Sequence, residues 1–261
     1  RRYKNSFDLL TGRITITKMD DWQFDRWTIR ILPIFSGAIL FGLEILSKIV
    51  PKLCQSGGSK LIPVKGKHLD KFEQQDWIFI NINKLLTIVF VYHLIWICRG
   101  SQIIQWKYSE ATLLNTVGSL SAFYISYDFF YMTFHRILHL RSLYPLIHKH
   151  HHRQKAPSRG NLDAINVHPF EFLVGEYLHL VTVSIIPSHI FAVIAFVLLA
   201  GILASLNHTR YDLELPYIYS VKVHDVHHRL PESNYGQYTM FWDRLFGSYR
   251  AYHSVIIEED K

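Results

Sequence analysis

The chain has 261 residues, of which 49% are hydrophobic, 15% aromatic and 19% charged, with a formal net charge of +7. The apolar residues gather in long blocks, which is a membrane pattern rather than a soluble one, and two cysteines, Cys54 and Cys98, are too few for a disulfide framework. Basic residues flank the apolar blocks and no nucleic-acid motif is present, so the positive charge points to an anionic membrane face and not to nucleic acid.

Residues 1–27 are polar with scattered aromatics and do not resemble a cleaved signal peptide. The first apolar block runs from Thr28 to Val50, broken by Arg30, Glu44 and Lys48. At about 1.5 Å per residue it is long enough to cross a bilayer. A lysine-rich loop with Ser56-Gly57-Gly58-Ser59 follows, then blocks at Trp77–Cys98 and Thr112–Phe134. Trp77 and Trp96 sit near the ends of their block, as interfacial aromatics do. A polar, histidine-rich stretch covers His135 to His168. Two shorter runs, Phe170–Ile186 and His189–Leu206, flank Pro187 and predict a helical hairpin that dips into or across the membrane. Between Phe129 and Leu162 lie six basic residues and no acid, which predicts a cytoplasmic position for that segment. The same rule places the 51–76 loop on the cytoplasmic side. It conflicts with the basic N-terminal segment, so the first block is either a span or a re-entrant or interfacial helix.

Sixteen histidines is far above ordinary usage, and most fall between His135 and His228. Three clusters stand out: His135 with His139; His148 with His151 and His152; and His224 with His227 and His228. In a helix, positions i, i+3 and i+4 share a face, so each cluster projects its rings together. His150 points roughly opposite to His148 and is the poorest ligand in its run. Eight imidazoles are too many for one metal ion. With His168, before Pro169, and His208, at the end of the hairpin, ten nitrogens would serve two ions with about five each. Imidazole suits iron, zinc, copper and nickel. Buried imidazoles are oriented through their second nitrogen, and Asp128 and Asp225 are the expected acceptors. Asp128 lies in an apolar block, where an acid has a partner or a function, and is the candidate catalytic residue. His93, His179 and His189 are expected on membrane helices or at the interface, and His68 and His253 on the surface. No Gly-x-Ser-x-Gly, phosphate loop, dinucleotide fingerprint or His-Glu-x-x-His segment occurs.

At these motifs the chain resembles the fatty acid hydroxylase/sterol desaturase superfamily over roughly residues 112–250. The matching segments are His135-Arg-Ile-Leu-His139, His148 to His152, His168-Pro169, His224 to His228 and Asn234 to Tyr249. The last of these looks most like the C-terminal region of sterol C5-desaturases. Those enzymes tend to carry His-Asp-Gly where this chain has His208-Thr209-Arg210.

The resemblance implies an endoplasmic reticulum enzyme with a cytosolic dimetal centre of two Fe ions, with zinc an alternative occupant after purification. It implies O2 as oxidant, electrons from cytochrome b5 with NADH or NADPH and a reductase upstream, and a sterol or fatty acyl lipid as substrate. No His-Pro-Gly-Gly segment occurs, so the expected cytochrome b5 is a separate protein. The fold expected is all-α: an integral, multi-pass membrane helical bundle under a cytosolic histidine-rich cap. Residues 1–111 form the N-terminal segment and first membrane helices, 112–250 the catalytic domain and 251–261 a tail. Hydroxylation and desaturation stay undivided at this point. A catalytically silent membrane protein with a structural zinc site and a dimetal hydrolase are the alternatives.

Overall fold

The computed structural model describes residues 2–8, 13–19, 26–216 and 218–253. Most of the expected tail, 254–261, lies outside the described residues. The chain opens with an antiparallel hairpin of β1 (Arg2–Asp8) and β2 (Arg13–Met19), with Arg2 opposite Met19. No element was expected there. Alternating β-branched residues in Ile14-Thr15-Ile16-Thr17 account for β2.

Apart from two short strand pairs, Ile104–Gln105 with Ser188–His189 and Glu214–Leu215 with Tyr219–Ser220, the rest of the described architecture is helical. The five apolar blocks become α1 (Arg26–Ser56), α2 (Gln74–Gly100), α3 (Ser119–Leu138), α5 (Pro169–Ile185) and α6 (Ile190–Asn207). Short helices α4 (Asn161–Ala164), α7 (Val221–Arg229) and α8 (Phe241–Phe246) complete the set. Stretches within α1, α2 and α6 (Arg30–Ser56, Gln74–Gly100 and Ile190–Asn207) are long and apolar enough to cross a membrane. The expected third span, Thr112–Phe134, is not among them. A wide turn at Leu114–Gly118 precedes α3, and α3 buries Ser119, Tyr127 and Asp128 against its neighbours. Helix α5 has 17 residues. It pairs with α6 as the predicted hairpin, and Pro187 ends the first arm because it cannot continue the ladder.

On α1 the apolar side chains point outward: Ile34 and Phe41 are each 67% exposed, the surface lipid tails would cover. Glu44 of α1 pairs with Lys84 of α2, which answers how an acid is carried within an apolar block. Inside, Phe123 and Tyr127 of α3 pack with Val183 of α5 and with Val193 and Phe196 of α6. Such packing in lipid holds helices together by dispersion more than by exclusion of water. A two-residue parallel bridge, Ile104–Gln105 with Ser188–His189, pins the loop after α2 to the far end of the hairpin.

The near end is where the site forms. The C-terminus of α3, the N-terminus of α5, the C-terminus of α6 and all of α7 meet there. The 57–73 loop straps this end: the Ile62 amide donates to the Arg210 carbonyl, and the Lys155 amide to the Lys67 carbonyl.

Candidate metal centre

Nine of the ten expected imidazoles converge on this end in two groups. His135, His139, His148, His152 and His227 form one, and His151, His208, His224 and His228 the other. Helical spacing supplies the pairs. His135 and His139, His148 and His152, and His224 and His228 are each four residues apart, and each pair serves one group. The third member of a cluster goes to the opposite group. His151 leaves its run for the four-imidazole group, and His227 leaves its run for the five-imidazole group. Thus the shared face expected for each cluster is a face that straddles two sites.

The ring tautomers make the chemistry explicit. His135 Nδ1 lies 2.8 Å from the Tyr235 carbonyl, His227 Nδ1 2.7 Å from the Ser233 carbonyl, and His208 Nδ1 2.8 Å from the Ala204 carbonyl. His148 Nδ1 lies 2.8 Å from Glu171 Oε1. A carbonyl or carboxylate oxygen only accepts, so each Nδ1 carries the proton and each Nε2 is a bare lone pair. Yet His135 Nε2 and His148 Nε2 are 2.9 Å apart. Two bare nitrogens at that distance repel and cannot hydrogen-bond. A cation between them makes the arrangement favourable. An ion with nitrogen ligands at about 2.0–2.1 Å sets neighbouring donors about 3 Å apart. His152 to His148 at 3.0 Å and His227 to His152 at 3.1 Å match that spacing. In the second group the links are 3.2–3.5 Å, from His224 to His228 and to His208, and from His208 to His151. The donor set therefore fits two metal ions.

Burial keeps the rings neutral. His135 and His139 are pushed down to about 3, first by loss of water and then by a neighbouring imidazole. His148, His151, His152, His224, His227 and His228 lie well below the ordinary histidine range for the same leading reason. Neutral imidazole is the form that ligates.

His168 stands apart. It caps α5, with Nδ1 accepting from the Phe170 amide at 3.2 Å, and its ring packs edge-on against Phe79. His150 points away as expected, to Asp76 and Asn166. The expected acidic partners also sit elsewhere. Asp128 accepts the backbone amides of Gln237, Tyr238 and Thr239, so it holds the segment whose Tyr235 carbonyl binds His135. It is a positioning residue in this geometry, not one that touches an imidazole. Asp225 pairs with Arg210 and Arg229, and Arg210 reaches on to the Ile62 and Pro63 carbonyls, tying α7 to the strap. The carboxylate that does orient a ring is Glu171. Sequence reasoning passed over it, although an acid three residues after His168, at the head of an apolar run, was a visible signal.

Gly236 shows how tightly that segment is built. A Cβ there would meet the Thr239 carbonyl oxygen at 2.5 Å and Asp243 Oδ2 at 2.9 Å, because Asp243 accepts the Tyr235 and Gly236 amides.

A cavity of about 140 Å³ adjoins the five-imidazole group, between α1, α2, α3, α5 and α6. Ile39, Leu43, Phe90 and Val197 give it an aliphatic and aromatic side. Glu171 lines it and also binds His148, and Tyr131 lines it while its ring packs 5.2 Å from that of His135. The histidine centre and the apolar cavity thus share walls.

The fatty acid hydroxylase family model matches residues 120–248, the segment that carries every one of these histidines. Over that segment, just under half of its length, the chain is a fatty acid hydroxylase domain. It is 29% identical over 133 residues to methylsterol monooxygenase 1 of Rattus norvegicus, covering 49% of this chain and 45% of the relative. It is 33% identical over 127 residues to a Delta(7)-sterol 5(6)-desaturase of Leptosphaeria maculans, covering 48% and 35%. It is 30% identical over 143 residues to lathosterol oxidase of Homo sapiens, covering 53% and 47%. The matched region thus spans less than half the length of these relatives. No solved structure matches the chain.

Proposed function

We propose that this protein is a membrane-bound, O2-dependent di-iron oxidoreductase that hydroxylates or desaturates a lipid. The observation that carries the reading is the pair of imidazole groups, the larger of which shares Glu171 and Tyr131 with an adjoining cavity. An all-imidazole set leaves the positive charge of its ions uncompensated, which suits an anionic oxygen species. The relatives are named for both sterol monooxygenation and sterol desaturation, and the same ligand set serves either outcome.

The ions, once bound, supply the reduction of O2 to a species able to take hydrogen from an unactivated C–H bond. The residues do the rest. The tethered Nδ1 atoms of His135, His148, His208 and His227 fix which nitrogen faces the ions. The cavity presents the lipid's apolar body in a site from which water is excluded. In hydroxylation, the C–H carbon, O2, two electrons and two protons give an alcohol and one water. In desaturation, two neighbouring C–H carbons with the same inputs give a double bond and two waters. A separate cytochrome b5, reduced through NADH or NADPH and its reductase, supplies the electrons. The endoplasmic reticulum membrane, with the histidine end facing the cytosol, is the location this donor requires.

The test is O2 consumption by the protein in lipid nanodiscs with cytochrome b5, its reductase and NADH, with product lipids followed by mass spectrometry. Consumption coupled to a hydroxylated or unsaturated product is expected. The His151→Ala/His227→Ala double variant should insert in the membrane normally and lose the activity. Full activity in that variant sinks the proposal. Metal without O2 consumption would instead mark a structural zinc protein or a hydrolase.

A further inference from the structure

The cavity has two chemically different sides. Helices α1, α2 and α6 contribute Ile39, Leu43, Phe90 and Val197. Helix α5 contributes Glu171 and Glu176. Buried carboxylates lining a cavity in a membrane protein are costly and mark a functional group. Glu44, by comparison, is paired with Lys84. Neither cavity-facing group is fully accounted for within the protein. Glu171 is 5% exposed and uses only Oε1, on His148, while its Oε2 is buried with no hydrogen-bond partner. The Glu176 carboxylate makes no hydrogen bond or ion pair among the described residues. The nearby His179 is satisfied by the Gly175 carbonyl and the Tyr238 hydroxyl, and so does not serve Glu176.

Two carboxylates with unspent acceptors, lining a cavity that is aliphatic on its opposite side, call for a ligand that is apolar along its body and carries a hydrogen-bond donor. Glu176 lies five residues beyond Glu171, about 7.5 Å further along the helix axis from the histidine end. We propose that Glu176 is a specificity-determining residue that accepts a hydrogen bond from a hydroxyl on the lipid, so that the substrate is a hydroxylated lipid rather than a plain acyl chain. Held in this way, the hydroxyl lies deeper in the cavity than Glu171, and a different part of the same molecule reaches the histidine end. A plain hydrocarbon would leave Glu176 desolvated and unpaired, which is how a buried polar group rejects a ligand lacking its partner. This inference rests on the lipid-oxidation reading above, and its test reads binding rather than turnover.

The probes are three tritiated ligands that differ at one atom: lathosterol, its 3-deoxy analogue and its 3-amino analogue. Binding to the metal-loaded protein in nanodiscs is measured for wild type, Glu176→Leu and Glu176→Gln. Elemental analysis checks that each variant keeps its metal and hence its folded centre. Wild type should bind lathosterol at least about tenfold tighter than the deoxy compound. Glu176→Leu should erase that preference while still binding the deoxy compound. Glu176→Gln, whose amide oxygen still accepts, should keep most of it. Equal binding of alcohol and deoxy compound by wild type, absence of lathosterol binding, or a preference that survives Glu176→Leu overturns the proposal. The amine, which also donates, should share the preference over the deoxy compound in wild type and lose it in Glu176→Leu. Selective binding without O2 consumption would leave this inference standing and remove the oxygenase reading. O2 consumption without hydroxyl selectivity would do the reverse.

Discussion

The two imidazole groups are built to different standards. In the five-imidazole group, the second nitrogens of His135, His148 and His227 are tied to Tyr235, Glu171 and Ser233, and the facing nitrogens stand 2.9–3.1 Å apart. In the four-imidazole group only His208 has such a tie, to Ala204. The buried Nδ1 atoms of His224 and His228 have no partner, and the facing nitrogens stand 3.2–3.5 Å apart. A ring fixed through its second nitrogen reaches its ion with no loss of rotational freedom and with raised basicity. Ligand count alone therefore understates the inequality. The first group has one more donor and three times as many tethers, so it should hold its ion more tightly.

Removing one ring from each group tests this inequality most directly. His228→Ala leaves three donors, of which only His208 is tethered, and should release that ion altogether. The affinity loss should exceed the about 10–100-fold that a second-nitrogen partner is worth. His227→Ala leaves four donors, two of them still tethered, and should keep its ion at ordinary concentrations. Metal per chain, measured by plasma mass spectrometry after dialysis, should therefore fall to about half in the first variant and stay near wild type in the second. Both should lose lipid oxidation. Equal metal loss in the two variants would show that the tethers do not matter.

Acid is the next largest perturbation. His135 and His139 are pushed down to about 3 in the folded protein, against an ordinary 6.5. Above pH 6.5 both folded and unfolded chains hold these rings neutral. Below it the unfolded chain takes up protons that the folded chain refuses, so folding stability is lost as pH falls from 6.5 toward 3. Each such ring contributes about 1.4 kcal/mol per pH unit in that window. Metal-free protein in nanodiscs should show a Tm that is level above pH 7 and drops steeply below 6.5. Metal-loaded protein should hold out to lower pH, because protons must first displace the ions, and the four-imidazole group should empty first. A Tm unchanged from pH 7.5 to 5 in the metal-free protein would contradict neutral burial of the rings.

How much of this was legible in the sequence follows from what each feature depends on. The i, i+4 histidine pairs depend only on helical spacing, and they pick out rings that the fold does bring together. The apolar blocks likewise mark α1, α2, α5 and α6 to within a few residues, because length and hydropathy are local. The division of His148, His151 and His152 between two groups is not local. It arises because the helix breaks around His148 and resumes as a tight turn at His151–Arg153, which rotates His151 away. Asp128 and Asp225 were near histidines in sequence, but backbone amides at 237–239 and two arginines claim them. His168 looked like a ligand by composition and is a helix cap by geometry. Glu171 shows the converse: its partner His148 is 23 residues away, so no spacing rule reaches it.

Glu171 also offers the finest probe of the difference between the two groups, because it is the one carboxylate among the tethers. Replacing it with Gln keeps an oxygen acceptor for the His148 Nδ1 proton but removes the negative charge that makes this ring a stronger donor to its ion. Replacing it with Leu removes the tether outright and leaves His148 as free to turn as His224 or His228. Metal affinity of the five-imidazole group should therefore fall modestly, by about tenfold, in Glu171→Gln, and by up to about 100-fold in Glu171→Leu. The four-imidazole group, which makes no contact with Glu171 among its described hydrogen bonds, should not change. Stepwise removal by a graded chelator series reads the two affinities separately. In Glu171→Leu the two release steps should draw together, since the better-built group has lost its strongest tether. If instead both steps shift equally, Glu171 acts through the fold of the whole cap and not through His148.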